Sequence, residues 1–543
     1  MVLNLLETAW TSCSYIVVSV AGRTKNLQNL TKVVIIRPEK VFKRYDIRGK
    51  YPEELNEEFA KRIGKALGSL SLKNFTDEIV VCKDNKESSR KLKKKLIEGL
   101  LSTGIRVVDI GTGPTDYAAY SGMKRGCVSV ETTSSHMPLN FNGFKFMYPE
   151  GNAFVNSDLE KIKQLFRSND FIRGNGSVEK KEDMIEEYRR RLVKFSEDFF
   201  ERQNKVVVDR LGGTAQLDKD ILNNPDTNLI DITKDETPSI DPPNPKPEKL
   251  DRLAKKVEEE DADLGVAFDL DSDRIRVFYD GRFLSGDELF CILAQLTDGP
   301  IAASIDTTWA LEQFGEVKNT RIGDPFLMEE AMNCGAKLAG EPNGHYAFTE
   351  FVPYPSGTLV SLILHGLDIE KRLRKVPDIY IERKNFEVEN KGEIIDKIGG
   401  TLPESRIISD LDGLKFRHGN STVLVRTSGN SEKIRIVVEG KGKKDVQHIA
   451  RRAEEAIKSL SVKKSTPKNQ LVGEVDKKRP GSTSFRKIKK LVIREDLLAN
   501  YTIKNYLKFP FGLTKNEGIT MDGETEQSAG REIKNPSLQT EGE

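Results

Sequence analysis

From about residue 41 the chain alternates between short apolar runs and longer stretches whose apolar residues recur every three or four positions. EELNEEFAKRIGKALGSL (53–70) and SSRKLKKKLIEGLLSTG (88–104) carry the helical spacing, the second ending near glycine. EIVVCKD (78–84), IRVVDIG (105–111) and CVSVE (127–131) are of strand length. Strands alternating with amphipathic helices predict α/β layers with crossover helices and a mixed or parallel sheet. The pattern then recurs. KVVVDRLGG (205–213), a helix over 244–259 and ADLGVAFDLDSDR (262–274) form a second unit. IAASID (301–306), EVKNTRIGD (316–324), a helix over 325–334 and AKLAGEPNGH (336–345) form a third, from about 282. The last unit differs in kind: STVLVRTSGNSEKIRIVVEG (421–440) has strand-like runs on both sides of a glycine turn, then the helix DVQHIARRAEEAIKSL (445–460). Linkers are expected near 170–185, where charge, Asn and Gly are dense, and near 373–385.

Four loops at strand ends carry candidate chemistry. In VETTSSHMPLNFNGFKF (130–146), Ser135 follows a strand with Thr133, Ser134 and His136 around it. Ligands in α/β folds usually sit at such carboxyl ends. Asn142-Gly143 reads as a turn that brings Lys145 back toward the serine, which needs a base or a metal to act as a nucleophile. Read alone, the stretch is a polar turn as readily as a reaction centre. Asp269, Asp271 and Asp273, followed by Arg274, crowd three carboxylates after an apolar run, and they repel unless a cation or arginine neutralises them. All-oxygen donors suit magnesium. An EF-hand is excluded, because its obligatory glycine would fall on Arg274 and the flanks are strand-like. Gly340-Glu341-Pro342-Asn343-Gly344-His345 is a rigid turn whose Glu341, Asn343 and His345 suit a hydroxylated ligand. Arg426-Thr427-Ser428-Gly429-Asn430-Ser431 offers a guanidinium, hydroxyls and flexible N–H groups for an anion. A metal-supported serine with a phosphate cradle is phosphoryl-transfer equipment, and no G-x-x-x-x-G-K-[ST] loop points to a nucleotide donor.

Composition narrows the classes further. With 86 basic and 84 acidic residues, the formal net charge is +2, so no nucleic-acid partner is expected. The five cysteines form no C-x-x-C pair and the five histidines no H-x-x-x-H pair, which argues against disulfide and zinc scaffolds and fits a reducing compartment. No run of 18 apolar residues occurs, and the N-terminus carries Glu7 without a positive n-region, so neither a membrane partner nor a signal peptide is expected and a cytoplasmic location is. Residues 461–543 are rich in Lys, Asn, Gly and Glu; the part from about 512 reads as disordered, and KKRPGSTSFRKIKK (477–490) as a solvated basic tail, with contact to an anionic partner as the alternative.

In this order the loops resemble the α-D-phosphohexomutase superfamily, the phosphomannomutases and phosphoglucomutases of archaeal or bacterial type. Tyr45-Asp46-Ile47-Arg48-Gly49 matches its Y-D-I-R-G motif; Thr133 to Pro138 with Asn142 to Lys145 matches its phosphoserine loop. Asp269 to Arg274 matches its metal loop, Gly340 to His345 its sugar loop, and Arg426 to Asn430 its phosphate loop. P-N-P at 243–245 and T-R-I-G-D at 320–324 are softer echoes, and the likeness spans about 41 to 460. It implies three similar α/β domains with mixed sheets plus a smaller C-terminal α+β domain. The expected division is an N-terminal extension over 1–40, domains over 41–182, 183–281, 282–373 and 374–460, and a C-terminal extension over 461–543.

The resemblance also implies an isomerase, a magnesium-dependent mutase interconverting hexose 6-phosphate and hexose 1-phosphate, with mannose, glucose or glucosamine as the sugar. Ser135 would be a covalent phosphoserine, with one Mg2+ per chain on Asp269, Asp271, Asp273 and the Ser135 phosphate, and a hexose 1,6-bisphosphate as intermediate and activator. Arg48 and Lys145 would meet transferring charge or handle the hydroxyl proton, His136 would support the loop and Arg274 orient the phosphoserine. Tyr45, Gly323, Glu341, Asn343 and His345 would face the sugar, and Arg426, Ser428, Gly429 and Asn430 its non-reacting phosphate. A monomer or homodimer is expected. Met137 stands at a family asparagine, Leu270 at a glycine, Asp116 at a proline, and Asn430-Ser431-Glu432 at Thr-Glu-Pro. The alternative these departures raise is a weak or inactive hexose-phosphate-binding relative with a structural or regulatory role.

Overall fold

The computed structural model describes residues 16–18, 34–36, 38–217, 228–234, 237–238, 240–388, 390–398, 406–427 and 433–461. The expected anion-loop residues Ser428, Gly429 and Asn430, the basic stretch 477–490 and nearly all of both extensions lie outside them. The short strands β1 (Ile16–Val18) and β2 (Val34–Ile36) pair antiparallel.

The first large sheet holds β3 (Ile47–Lys50), β4 (Glu78–Lys83), β5 (Arg106–Thr112), β6 (Val128–Thr132), β7 (Phe141–Met147) and β8 (Ser177–Lys180) in the order β3-β7-β6-β4-β5-β8. Strands β6, β4, β5 and β8 run parallel, β7 is antiparallel to β6 and β3 is antiparallel to β7, so the sheet is mixed as expected. Strands β4 and β6 are almost wholly buried, which their continuous Val-rich runs demand once helices cover both faces. Helix α1 (Glu57–Asn74) starts where the Asn56 side chain accepts the Phe59 N–H, and it buries Phe59, Ile63, Ala66, Leu67 and Leu70 on one stripe. Helices α2 (Glu87–Leu101) and α3 (Thr115–Arg125) provide the crossovers from β4 to β5 and from β5 to β6.

The second sheet has order β10-β9-β11-β12-β13, from β9 (Val206–Asp209), β10 (Leu229–Asp231), β11 (Leu264–Phe268), β12 (Ile275–Tyr279) and β13 (Arg282–Phe283). The third has order β15-β14-β16-β17, from β14 (Ile301–Ser304), β15 (Val317–Thr320), β16 (Leu338–Gly340) and β17 (Tyr346–Phe348). Both are mixed. The fourth, β18-β22-β21-β20-β19, is antiparallel throughout: β18 (Tyr380–Glu387), β19 (Arg406–Ser409), β20 (Leu414–His418), β21 (Ser421–Thr427) and β22 (Lys433–Gly440). One apolar cluster runs from Val80 and Tyr117 through Val266 and Phe290 to Val360, so the first three sheets share a core. The fourth has its own, around Phe416, Val423, Ile436 and Ile449.

Two local expectations are corrected. The helix expected over 244–259 begins only at Asp251, after a 3-10 turn at Pro247–Lys249, because prolines lack the N–H groups a longer helix needs. The two stretches expected as linkers also contain edge strands, β8 and the start of β18. Asn142-Gly143 is no turn but lies inside β7. Gly143 is required there because a β-carbon would come within 2.2 Å of the Ile47 carbonyl oxygen on β3. At Leu270, where the family has glycine, the φ is not positive; the left-handed residue of this loop is Ser272 (φ 59°), and Leu270 is buried, its carbonyl accepting from Thr214 N.

Candidate active site

Because β4 and β6 are parallel neighbours, the loops leaving their carboxyl ends meet. Asp84 and Lys86, just past β4, take hold of the serine loop just past β6. The Asp84 carboxylate accepts the Ser134 N–H (3.0 Å) and the Lys86 N–H (2.9 Å). The Lys86 ammonium donates to the carbonyls of Leu139 and Phe141, both at 2.7 Å, and to the Ser134 hydroxyl at 3.2 Å. Ser135 itself is left-handed, with φ 49°, and its N–H donates to the Thr133 hydroxyl (2.8 Å), while the Met137 N–H closes the turn on Ser134 O.

Ser135 is buried, and its Oγ lies 3.1 Å from His136 Nδ1 and 3.3 Å from Asp269 Oδ2. Burial, then Arg274 and Arg48 nearby, pushes His136 well below the usual histidine range, so its ring is neutral. The loop after β11 brings Asp269, Asp271 and Asp273 to the same place, each offering an oxygen within 4.8 Å of the others. Burial, then Asp273 and Asp271, pushes Asp269 well above the carboxylate range. That repulsion is what a cation relieves. Asp271 Oδ1 is buried without a hydrogen-bond partner among the described residues. Three buried carboxylates with one free oxygen fit a hard divalent ion.

The structure places Lys145 differently from expectation. Its ammonium is directed at Asp271 Oδ2 (2.6 Å) and Asp273 Oδ2 rather than at the serine. Burial opposes its charge, but Asp271 and Asp273 hold it well above the ordinary lysine range. Burial would likewise raise Asp273, yet Lys145 and then His345 hold it well below.

The remaining expected residues form a second ring. The Arg274 Nε lies 2.9 Å from His345 Nε2 and 3.7 Å from Asp269 Oδ2. His345 also touches Asp273 Oδ1 (3.1 Å) and Asp324 Oδ1 (2.8 Å); burial opposes its charge, but Asp324 and Asp273 hold the imidazole above its ordinary range. Glu341 accepts from Gly323 N (2.8 Å) and Asn343 Nδ2 (2.8 Å). Asn343 is exposed, and its Oδ1 accepts the His345 N–H at 3.1 Å. Gly323 takes φ 128°, and a β-carbon there would press on the Tyr45 ring, whose hydroxyl donates to Ile322 O at 2.7 Å. Arg48 pairs with Asp46 at 2.6 Å. Arg426 reaches Asp306 at 3.4 Å, and its Nε has no partner among the described residues.

Sequence reasoning passed over several residues here. Asp84 and Lys86 were visible as Asp-x-Lys after a strand. Arg435 lies directly opposite Arg426 in the β21–β22 register, a like-charged pair that calls for an anion, but its signal needed the register. Asp306, Thr115 and Glu131 carried no motif, and Asp324 only closed the T-R-I-G-D echo.

Four family profiles match in order: Phosphoglucomutase/phosphomannomutase alpha/beta/alpha domain I at residues 39–173, domain II at 186–281, domain III at 285–382 and the C-terminal domain at 384–456. The chain belongs to the phosphoglucomutase/phosphomannomutase family. This phosphohexomutase is therefore an isomerase. It is 31% identical over 436 residues to the "Probable phosphoglucosamine mutase" of Methanothermobacter thermautotrophicus, covering 75% of this chain and 95% of the relative. A protein of the same name from Methanocella arvoryzae is 30% identical over 438 residues, with 76% and 96% covered. In fold the enzyme is similar to a Phosphoglucomutase/phosphomannomutase family protein of Burkholderia thailandensis, with TM-score 0.69, 24% identity, and 78% and 98% of the two chains covered. Paramecium parafusin, a phosphoglucomutase, gives TM-score 0.60 at 15% identity, with 78% and 95% covered. Among the described residues no helix is long and apolar enough to cross a membrane.

Proposed function

We propose that the enzyme interconverts glucosamine 6-phosphate and glucosamine 1-phosphate through a phosphorylated Ser135, with Mg2+ held by Asp269, Asp271 and Asp273. The reading is carried by one observation: the Ser135 hydroxyl lies 3.3 Å from Asp269 inside a buried three-carboxylate cluster. The names of the archaeal relatives favour the amino sugar. When bound, magnesium supplies positive charge to the phosphoryl oxygens at Ser135.

The chain's own groups do the rest. In the first half-reaction the Ser135 Oγ–P bond breaks as a sugar oxygen–P bond forms, leaving a 1,6-bisphosphate; after the sugar turns over in the cleft, the second half-reaction reverses the exchange at the other end. Each half moves one proton between the accepting hydroxyl and the leaving oxygen. His136 Nδ1, neutral and 3.1 Å away, is placed to exchange that proton with Ser135. Lys145, held charged, is no base; with Arg48 and Arg274 it balances charge that spreads over the phosphoryl oxygens. Arg426 and Arg435, with Ser428, Gly429 and Asn430, grip the distal phosphate, while Tyr45, Gly323, Glu341, Asn343 and His345 form the wall that faces the sugar.

The test is phosphate migration on glucosamine, glucose and mannose 1-phosphates with Mg2+ and a trace of the 1,6-bisphosphate. Turnover fastest on the amino sugar is expected, together with a species about 80 Da heavy mapping to Ser135. Ser135→Ala should lose the adduct and about a thousandfold or more in rate. Equal turnover by the alanine variant would overturn the phosphoserine, and a preference for glucose or mannose would overturn the choice of sugar.

A further inference from the structure

Glu131 and Thr115 have no role in the site described so far, yet both end at the aspartate cluster. Thr115 is the first residue of α3. Its N–H donates to the Asp271 carbonyl at 3.1 Å, and its hydroxyl lies 3.1 Å from Asp271 Oδ2 and 3.4 Å from Lys145 Nζ. The same hydroxyl is hydrogen-bonded to Glu131 Oε2. Glu131 sits near the end of β6, directly opposite Lys145 of β7 in the register, so both side chains emerge on one face. It is fully buried, and Oε1 has no partner among the described residues.

An acid buried this deeply costs stability unless it has a partner or a use. Its effect is legible in the two oxygens of Asp271. Oδ2 is held from two sides, by Lys145 and by the Thr115 hydroxyl, and a carboxylate fixed at one oxygen cannot swing. Oδ1 is thereby left as the buried, unpartnered oxygen. A threonine hydroxyl has a single hydrogen and cannot donate to both carboxylates; burial, then Asp271, holds the Glu131 carboxyl well above the carboxylate range, so Glu131 donates its own proton to the Thr115 oxygen and leaves the hydroxyl hydrogen for Asp271 Oδ2.

We propose that Thr115 and Glu131 are positioning residues that fix the Asp271 carboxylate and present its Oδ1 to the divalent cation, Glu131 acting only through the Thr115 hydroxyl. This rests on the cation reading given above. Residues that hydrogen-bond a metal's ligands typically set affinity by about ten- to a hundredfold.

Mn2+ is the probe, its binding to the full-length chain followed by loss of the free-ion electron paramagnetic resonance signal and paired with the melting temperature of each variant. Thr115→Val keeps the shape and removes the hydroxyl; with Glu131→Met it should weaken Mn2+ about tenfold or more. Thr115→Ser and Glu131→Gln retain hydrogen-bonding groups and should bind within about twofold of wild type. Lower melting temperatures with unchanged Mn2+ affinity would mean packing alone and would overturn the proposal. Asp271→Asn separates the two readings. If it abolishes binding while the Thr115 and Glu131 variants bind like wild type, only the positioning role fails. If Asp271→Asn binds as wild type does, or neither binds, the cation reading falls and this inference with it. Should Glu131→Met not fold, the valine and serine pair at Thr115 decides.

Discussion

Two seams in this molecule carry opposite kinds of contact. Where the first sheet meets the second, Ser135, Lys145, Asp269, Asp271 and Asp273 are all buried, and direct bonds cross between the loops. Behind them one apolar cluster continues through three sheets. Where the third sheet meets the fourth, the apolar contribution is small, centred on Ile305, Leu424 and Val437. The rest is long or partly exposed polar contact: Arg426–Asp306 at 3.4 Å, Trp309 N to Glu439 at 3.3 Å, and Arg383–Asp287 with the arginine 38% exposed. The first seam holds its charged groups fixed and buried, where fixed charge acts most strongly. The second is a set of ion pairs that solvent, salt and a phosphate can each contest.

Lys145 gives the hardest test of the dry seam. Lys145→Met leaves Asp271 and Asp273 with uncompensated repulsion in a buried place, and kcat should fall about a hundredfold or more. A fall of less than threefold in steady-state assays would mean that solvent already reaches the cluster.

Asp116 tests dryness through pH. Burial raises its carboxyl from 3.8 to about 7; Tyr188 donates to Oδ2 at 2.5 Å, while Oδ1 has no partner among the described residues. A folded state that keeps the proton to about pH 7 is most favoured, relative to the unfolded chain, below about pH 4. That advantage drains away between about pH 4 and 7 and is gone above, by roughly a few kcal/mol. Asp116→Asn should therefore raise the calorimetric midpoint at pH 8 relative to wild type and change it little at pH 4. A parallel offset at both values would locate water beside the carboxyl.

The smallest effect belongs to the second seam. If Asp306 occupies Arg426 until a sugar phosphate displaces it, Asp306→Asn should lower KM about two- to fivefold with kcat held, as expected for a weak ion pair. An unchanged or raised KM would show that this contact is part of the platform and not a competitor.

Much of the architecture was legible in the sequence because period and chain direction suffice for it: Val-rich runs between amphipathic helices placed β4, β5, β6 and β11, and each chemical loop sits at a strand end. What was lost depended on partners. Asn142-Gly143 has turn composition, but the Asn142 amide is engaged by Ser88 and Ser89 and Gly143 permits the approach of β3, so the pair is strand. Lys145 was aimed at Ser135 by proximity in sequence; the alternation of β7 sends it to the aspartates instead. Glu131 looked like one residue of a buried strand, and only the Glu131–Lys145 register and the distant Thr115 give it a use. The substitution of Met137 for the family's asparagine has no structural explanation beyond its backbone bond to Ser134 O.

The left-handed backbone at Ser135 has a consequence for what this site can become. Serine and threonine carry the same hydroxyl and would serve the same phosphoryl chemistry. A β-branched side chain at positive φ is nevertheless a steric outlier. The turn that aims the hydroxyl at Asp269 therefore also limits the proposed nucleophile, and the exchange of serine for threonine, conservative at most surface positions, is closed here by geometry before chemistry is consulted.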